Sequence, residues 1–184
     1  MEKKNKIWLT SDLHFGHDRE FLWSPRGFAN SYEHDEAVIK NWNEKVSWVD
    51  EVYLLGDLML GDNEKGIRKL QQLAGKWHII LGNHDTDTRI ELYKQLPQVI
   101  DIQYATVLKY NGYRFYLSHY PTMTANFDKD KSLKTRTISL CGHSHTKDRF
   151  CDWDKGLIYH VEMDAHGCQV VSIEQIINDI KEKK

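Results

Sequence analysis

Cysteine is scarce in this chain: three in 184 residues, at Cys141, Cys151 and Cys168, with no Cys-x-x-Cys pair. That argues against a disulfide framework and for free thiols in a reducing compartment. Charge of one sign is also lacking. A formal net charge of -2 provides no bulk basic field to collect duplex nucleic acid, and there is no acidic tail. No apolar run approaches the ~20 residues that span a bilayer. The start, MEKKNKIWLTSD, is basic but turns polar after Leu9, so it lacks the apolar region of a signal peptide. A cytoplasmic location without membrane contact is the expectation. Repeats, low-complexity tracts and linkers are missing as well, and the length suits one domain over residues 1–184.

What is present is a series of short apolar segments. Lys6–Thr10, Glu51–Leu55 and Lys76–Leu81 read as strands. Between and after them, 33–46, 64–73 and 87–96 read as helices, with Gly75 and Pro97 as stop signals. Residues 15–32 read as irregular, with Pro25 and Gly27 as breakers. The second half changes character. Segments 100–110 and 113–118 flank Asn111-Gly112, a two-residue hairpin signal. Residues 121–134 read as a polar loop and 137–141 as a strand. A second hairpin is expected from 156–164 and 169–173 around His166-Gly167, followed by a terminal helix over 174–183. Alternating strand and helix in the first half implies parallel strands, and the strand-rich second half reads as antiparallel. The expected fold class is α/β, with two mixed β-sheets. Trp42, Trp48 and Trp77 are expected in the core.

Each expected strand stops at an unusual polar group: Asp12-Leu13-His14, Gly56-Asp57, Gly82-Asn83-His84-Asp85, Ser118-His119 and Gly142-His143-Ser144-His145. In an open α/β sheet the carboxyl ends of parallel strands form the ligand crevice. Unpaired charges gathered there would repel or be desolvated at several kcal/mol each. Divalent cations remove that cost, and imidazole with carboxylate suits manganese, iron, zinc and similar ions. Seven candidate ligands exceed one ordinary site and suit two metals sharing a carboxylate.

The ordered set Asp12-x-His14, Gly56-Asp57, Gly82-Asn83-His84-Asp85, His119 and Gly142-His143-x-His145 resembles the calcineurin-like metallophosphoesterase superfamily over residues 7–145. The resemblance implies a sandwich of two sheets with helices on the outer faces. It implies that Asp12, His14 and His145 bind one metal, that Asn83, His119 and His143 bind another, and that Asp57 bridges them. His84 takes the place of the family's catalytic imidazole, with Asp85 orienting it. Manganese is the first expectation for the metal, with iron, nickel, zinc and magnesium as other suitable ions. His17 and Arg26 are further candidates, Arg26 for a phosphate or sugar. His34, His78, His160 and His166 stand outside the pattern and read as structural or solvated.

Asp57 is followed by Leu-Met-Leu-Gly-Asp and the third motif ends in Asp85. The superfamily's protein phosphatases differ at both places, and its double-strand-break nucleases are longer. The chain is most similar to the small stand-alone bacterial and phage members. That similarity implies hydrolysis of a small phosphodiester such as a nucleotide, by water activated between two metals and with no protein nucleophile. A phosphomonoesterase, a diphosphate hydrolase and a non-catalytic metal-binding scaffold are the alternatives.

Overall fold

A computed structural model describes residues 5–124 and 131–183. The expectation for residues 125–130 of the polar loop lies outside the described residues.

Four strands, β1 (Ile7–Thr10), β2 (Glu51–Leu54), β3 (Lys76–Ile80) and β4 (Val99–Gln103), pair in parallel and in sequence order. The helices between them are α1 (Glu20–Trp23), α2 (Ser31–Asn43), α3 (Asn63–Leu70) and α4 (Asp87–Tyr93). Parallel strands laid down in one direction, each joined by a crossover of the same hand, place their helices on one face. Strand alternation divides the side chains accordingly. Trp8, Val52, Leu54, Trp77 and Ile79 pack with Val38, Ile39 and Trp42 of α2, Leu70 of α3 and Tyr93 of α4. Within this layer Trp42 and Trp77 meet edge to face at 6.2 Å, and both indole N–H groups donate to the Ala74 carbonyl, at 2.9 and 3.1 Å. Asn30 caps α2 by accepting from the Glu33 N–H, and Asp62 caps α3 by accepting from Glu64 and Lys65.

Leu9, Leu55 and Ile80 point the other way, into a second core with β5 (Ala105–Tyr110), β6 (Tyr113–Ser118), β7 (Thr137–Cys141) and β8 (Ile158–His160). These form a second sheet in the order β5-β6-β7-β8. The chain then returns to the first sheet as β9 (Val171–Ser172), antiparallel to β1, and ends in α5 (Ile173–Lys183). Ile173, Ile176, Ile177 and Ile180 of α5 join the core between the sheets. Both sheets are mixed, and the α/β class stands as expected.

Several details differ from the sequence reading. The segment 100–110 is not one strand. It breaks at Tyr104, so β4 belongs to the first sheet and β5 to the second. Only β5 and β6 pair as the Asn111-Gly112 hairpin; β6 with β7 and β7 with β8 are parallel. The connections over 119–136 and 142–157 exceed the dozen or so residues that a parallel crossover requires. The second hairpin does not form, because β8 and β9 lie in different sheets. Between them the Met163 N–H bonds the Ser11 carbonyl and carries the chain from one sheet to the other. The stretch read as irregular contains α1. Trp48 is 63% exposed, outside the core. No helix among the described residues is long and apolar enough to cross a membrane.

Candidate metal centre

The parallel runs of both sheets bring their carboxyl ends to one edge. The loops leaving β1 and β2 continue side by side beyond the strands. Asp12 N donates to the Gly56 carbonyl at 3.0 Å, His14 N to Asp57 at 3.0 Å and Phe15 N to Leu58 at 3.1 Å. The loop after β7 is tied to the end of β6 by Gly142 N donating to the His119 carbonyl at 2.9 Å. It is tied to the first sheet by His143 N donating to Asp12 Oδ2, also at 2.9 Å. All seven sequence-predicted ligands meet there.

The backbone is strained where they meet. Asp12, His14, Asp57, His143 and His145 all have φ between 49° and 72°, a left-handed region that non-glycine residues occupy at a cost of ~1–3 kcal/mol each. The surrounding hydrogen bonds hold them in it. Close approach also dictates the glycines. A Cβ on Gly82 would lie 2.2 Å from Asp57 Oδ1, and one on Gly142 would lie 2.1 Å from Ser11 Oγ and 2.3 Å from Asp12 Oδ2. No side chain fits at either position.

Two groups of donor atoms result. In one, His14 Nε2 and His145 Nε2 are 3.1 Å apart, and each is 3.7 Å from Asp12 Oδ1. In the other, His119 Nε2 lies 2.9 Å from Asn83 Oδ1 and 3.2 Å from His143 Nδ1, with His143 Nδ1 2.9 Å from Asn83 Oδ1. Asp57 stands between the groups: its Oδ2 is 3.8 Å from His14 Nε2 and 3.5 Å from His119 Nε2. The other oxygen of each carboxylate is occupied, Asp12 Oδ2 by His143 N–H and Asp57 Oδ1 by His84 N–H at 2.9 Å. The buried Asp12 Oδ1 has no hydrogen-bond partner.

This donor set fits divalent cations. His119 Nδ1 donates to the Leu55 carbonyl at 2.8 Å, and His145 Nδ1 donates to Asp164 Oδ2 at 2.9 Å. Both rings therefore turn an Nε2 lone pair inward. His119 Nε2, Asn83 Oδ1 and Asp57 Oδ2 then face one another as acceptors, an arrangement that a cation satisfies. The electrostatics agree. Burial opposes ionisation of Asp12, but the imidazoles of His14, His119 and His145 around it hold its carboxyl at about 2. Burial pushes the His14 imidazole down against the pull of Asp12. A carboxylate beside a neutral imidazole is the form that ligates.

His84 is half-exposed at the rim, its Nε2 4.0 Å from Asp57 Oδ2 and its ring 5.6 Å from that of His14. His17 lies behind His14, with ring centroids 6.0 Å apart. Burial, followed by the charges of His14 and His84, pushes its pKa down to about 4.

Two expectations are corrected. Asp85 does not touch the His84 imidazole. Its Oδ2 accepts from the backbone N–H groups of Asp57 and Gly82, at 2.9 and 2.8 Å, and its Oδ1 accepts from the Tyr93 hydroxyl at 2.8 Å. It clamps the ends of β2 and β3 together. Arg26 is not a free phosphate ligand: its side chain is 1% exposed. It donates to both Asp164 oxygens, at 3.1 and 2.6 Å, to the Asp12 carbonyl at 2.9 Å and to His34 Nε2 at 2.9 Å. His34 in turn donates from Nδ1 to Asp35 Oδ1 at 3.0 Å, and Asp35 Oδ2 accepts from the Gly16 N–H at 3.1 Å. Burial works against ionisation of Asp164, yet its bonds to His145 and Arg26 hold it well below the usual carboxylate range. For His145 the same bond to Asp164 and the charge of Asp12 outweigh burial and push the imidazole up. His34 is structural, one of the two roles expected for it; Asp164 and Asp35 were invisible in sequence, because they belong to no motif. Tyr120 was also missed. It follows His119 directly, is half-exposed, and stands 4.7 Å from the His143 ring.

The model for the calcineurin-like phosphoesterase superfamily domain matches residues 6–161. The chain belongs to that superfamily. It is 39% identical over 127 residues to an uncharacterised protein of the archaeon Methanocaldococcus jannaschii, a match that takes in 67% of this chain and 64% of that protein. The chain thus spans less than two thirds of that relative's length. It is 28% identical to the gene 66 protein of Mycobacterium phage D29, over 97% of this chain and 98% of the phage protein. Among solved structures, a protein of unknown function from Aquifex aeolicus superposes with a TM-score of 0.71 at 20% identity, covering 95% of this chain and 99% of that one. An archaeal phosphodiesterase superposes with a TM-score of 0.50 at 16% identity, covering 91% and 98%. These two likenesses concern the fold.

Proposed function

We propose that the chain hydrolyses a phosphodiester, a small nucleotide or a related substrate, with two divalent metal ions. The observation that most supports this is the position of Asp57, whose one free oxygen faces two separate groups of ligand atoms at 3.5–3.8 Å. Asp12, His14 and His145 hold the first ion and Asn83, His119 and His143 the second, with Asp57 serving both. Ions so placed supply Lewis-acid activation of water and neutralise charge on a phosphoryl group. Manganese is the first choice for a set of imidazole, carboxylate and amide oxygen without thiolate.

The chain's own residues do the rest. His84 stands at the rim, outside both groups, where its imidazole meets phosphoryl oxygen and hands a proton to the leaving oxygen. His145 is aimed by Asp164, which Arg26 fixes in turn, so the Arg26–Asp164 pair positions a ligand and does not itself bind substrate. Asp85 and Tyr93 hold the β2 and β3 ends in register. The diester preference draws on membership of the superfamily and on likeness to its small members, and monoester or diphosphate hydrolysis is the other reading. Paired assays of bis-nitrophenyl and mono-nitrophenyl phosphate, with manganese or with chelator, test it. Faster diester turnover that requires metal is expected. A strong monoester preference would overturn the diesterase assignment, and bound metal with no turnover on any phosphoester would leave a scaffold.

A further inference from the structure

His160 was expected to be structural or solvated, yet at the end of β8 it centres a second cluster of ligating atoms that shares no residue with the strand-end centre. Its ring is fully buried. Nδ1 donates to Glu162 Oε2 at 3.1 Å, and Glu162 is itself fully buried and fixed by accepting from the Thr146 N–H at 2.9 Å. A carboxylate so placed sets the tautomer and turns the opposite nitrogen outward. That nitrogen, Nε2, lies 3.2 Å from Cys151 Sγ and 3.1 Å from Asp152 Oδ2, and the sulfur and carboxylate oxygen are 3.5 Å apart. The three atoms form a near-equilateral face.

We propose that Cys151, Asp152 and His160 form a zinc site, distinct from the strand-end centre, with Glu162 orienting the histidine. Tetrahedral zinc with bonds of about 2.0–2.3 Å to sulfur, nitrogen and oxygen has ligand–ligand edges of about 3.4–3.6 Å; the sulfur–oxygen edge falls in that range and the two edges to the imidazole nitrogen are slightly shorter. A thiolate, an imidazole and a carboxylate are a donor set that zinc accepts, and the exposed side of Cys151 leaves the fourth position to solvent. Asp152 Oδ1 is engaged by Lys155 at 2.7 Å, which leaves Oδ2 as the free oxygen. The alternative use of such a cysteine, as a reactive thiolate, does not suit the surroundings. Its sulfur sits against the Asp152 carboxylate, whereas reactive cysteines sit beside cationic groups. Cys141 is no substitute ligand: its sulfur approaches His160 at Nδ1, 3.7 Å away, on the Glu162 side. Bound there, zinc would fasten the segment after Arg149 to β8. That segment also meets the strand through the His160 N–H bonding the Arg149 carbonyl at 3.0 Å and through Phe150, which packs edge to face on Tyr159 at 5.1 Å.

The strand-end ligands include no cysteine, so a sulfur signature reports this site alone. The metal-stripped full chain is titrated with cobalt(II), and the thiolate-to-cobalt charge-transfer absorption is followed in the near ultraviolet. One equivalent of thiolate-bound cobalt is expected, displaced by zinc, lost in Cys151→Ser and kept in Cys141→Ser and Cys168→Ser. Zinc should also block the reaction of Cys151, the one exposed cysteine, with a thiol reagent. Asp152→Asn, at a partly exposed position, should weaken the signal while the circular dichroism of the chain stays unchanged. Absence of the absorption in a folded wild-type chain, with Cys151 still open to the thiol reagent under zinc, would overturn the site. So would an absorption that survives in Cys151→Ser.

Discussion

Asp57 shows how one side chain carries two tasks. Oδ1 holds the His84 backbone and Oδ2 faces both ligand groups. Replacing it with asparagine keeps the shape and removes the charge. Asp57→Asn should bind less metal at both positions and lose about 10²–10³-fold in rate, the scale of removing one electrostatic element of a site. Elemental analysis with steady-state kinetics checks this, and two retained metals with a near-wild-type rate would show that Asp57 does not bridge. His84→Asn should behave differently, because His84 completes neither group. Metal content is expected to stay and the rate to fall, more for a substrate that leaves as a sugar alkoxide than for one that leaves as a nitrophenolate, since the poor leaving group needs the proton. Equal loss on both substrates would assign His84 an electrostatic role alone. At this scale the sequence was most informative where polar residues follow an apolar strand without a gap, as in Leu81-Gly82-Asn83-His84. It was least informative at Arg26. That residue sits in a polar stretch with Pro25 and Gly27 and gives no sign that its guanidinium is buried against Asp164, which lies far along the chain.

The strand ends set the site, and at the scale of elements the parallel pairing of β6 with β7 is the decisive feature. Pairing in the other sense would send His119 and His143 to opposite edges. Alternation of strand and helix made the parallel first sheet legible. The second sheet was harder, because among the described residues its crossovers over 119–136 and 142–157 contain no α-helix to announce them. The break at Tyr104 and the transfer of β9 back to β1 were also hidden, since apolar periodicity reports which face is buried and not which sheet a strand joins. Close contact between the β1 and β7 loops leads to a further expectation. Gly142→Ala puts a methyl within 2.1 Å of Ser11 Oγ and 2.3 Å of Asp12 Oδ2. It should cost about 1–3 kcal/mol of stability, the range for forcing extra volume into a packed site. Urea unfolding with and without manganese should also show a smaller metal-induced gain than in the wild type. An unchanged midpoint and an unchanged gain would mean that the two loops are not packed as described.

In the whole molecule two hydrophobic cores sit on either side of the first sheet, and the candidate metal centre lies beyond its carboxyl edge. The centre holds five residues in left-handed backbone, a desolvated pair of carboxylates and imidazole nitrogens in mutual contact. Each of these works against folding when no cation is present. Ions that bind only the folded chain raise its stability by mass action, about 2.7 kcal/mol at a hundredfold excess over Kd. Calorimetry should therefore find a melting temperature that rises with manganese and falls with chelator. A melting temperature indifferent to both would mean that the strain is carried by the hydrogen-bond frame alone. The most direct measurement titrates manganese into metal-stripped chain carrying Cys151→Ser, so that the strand-end ligands alone are counted, while bis-nitrophenyl phosphate hydrolysis is followed in the same samples. The expected result is no turnover without metal and activity that rises to a plateau at two bound ions per chain. Full turnover in demonstrably metal-free protein would contradict the two-metal reading.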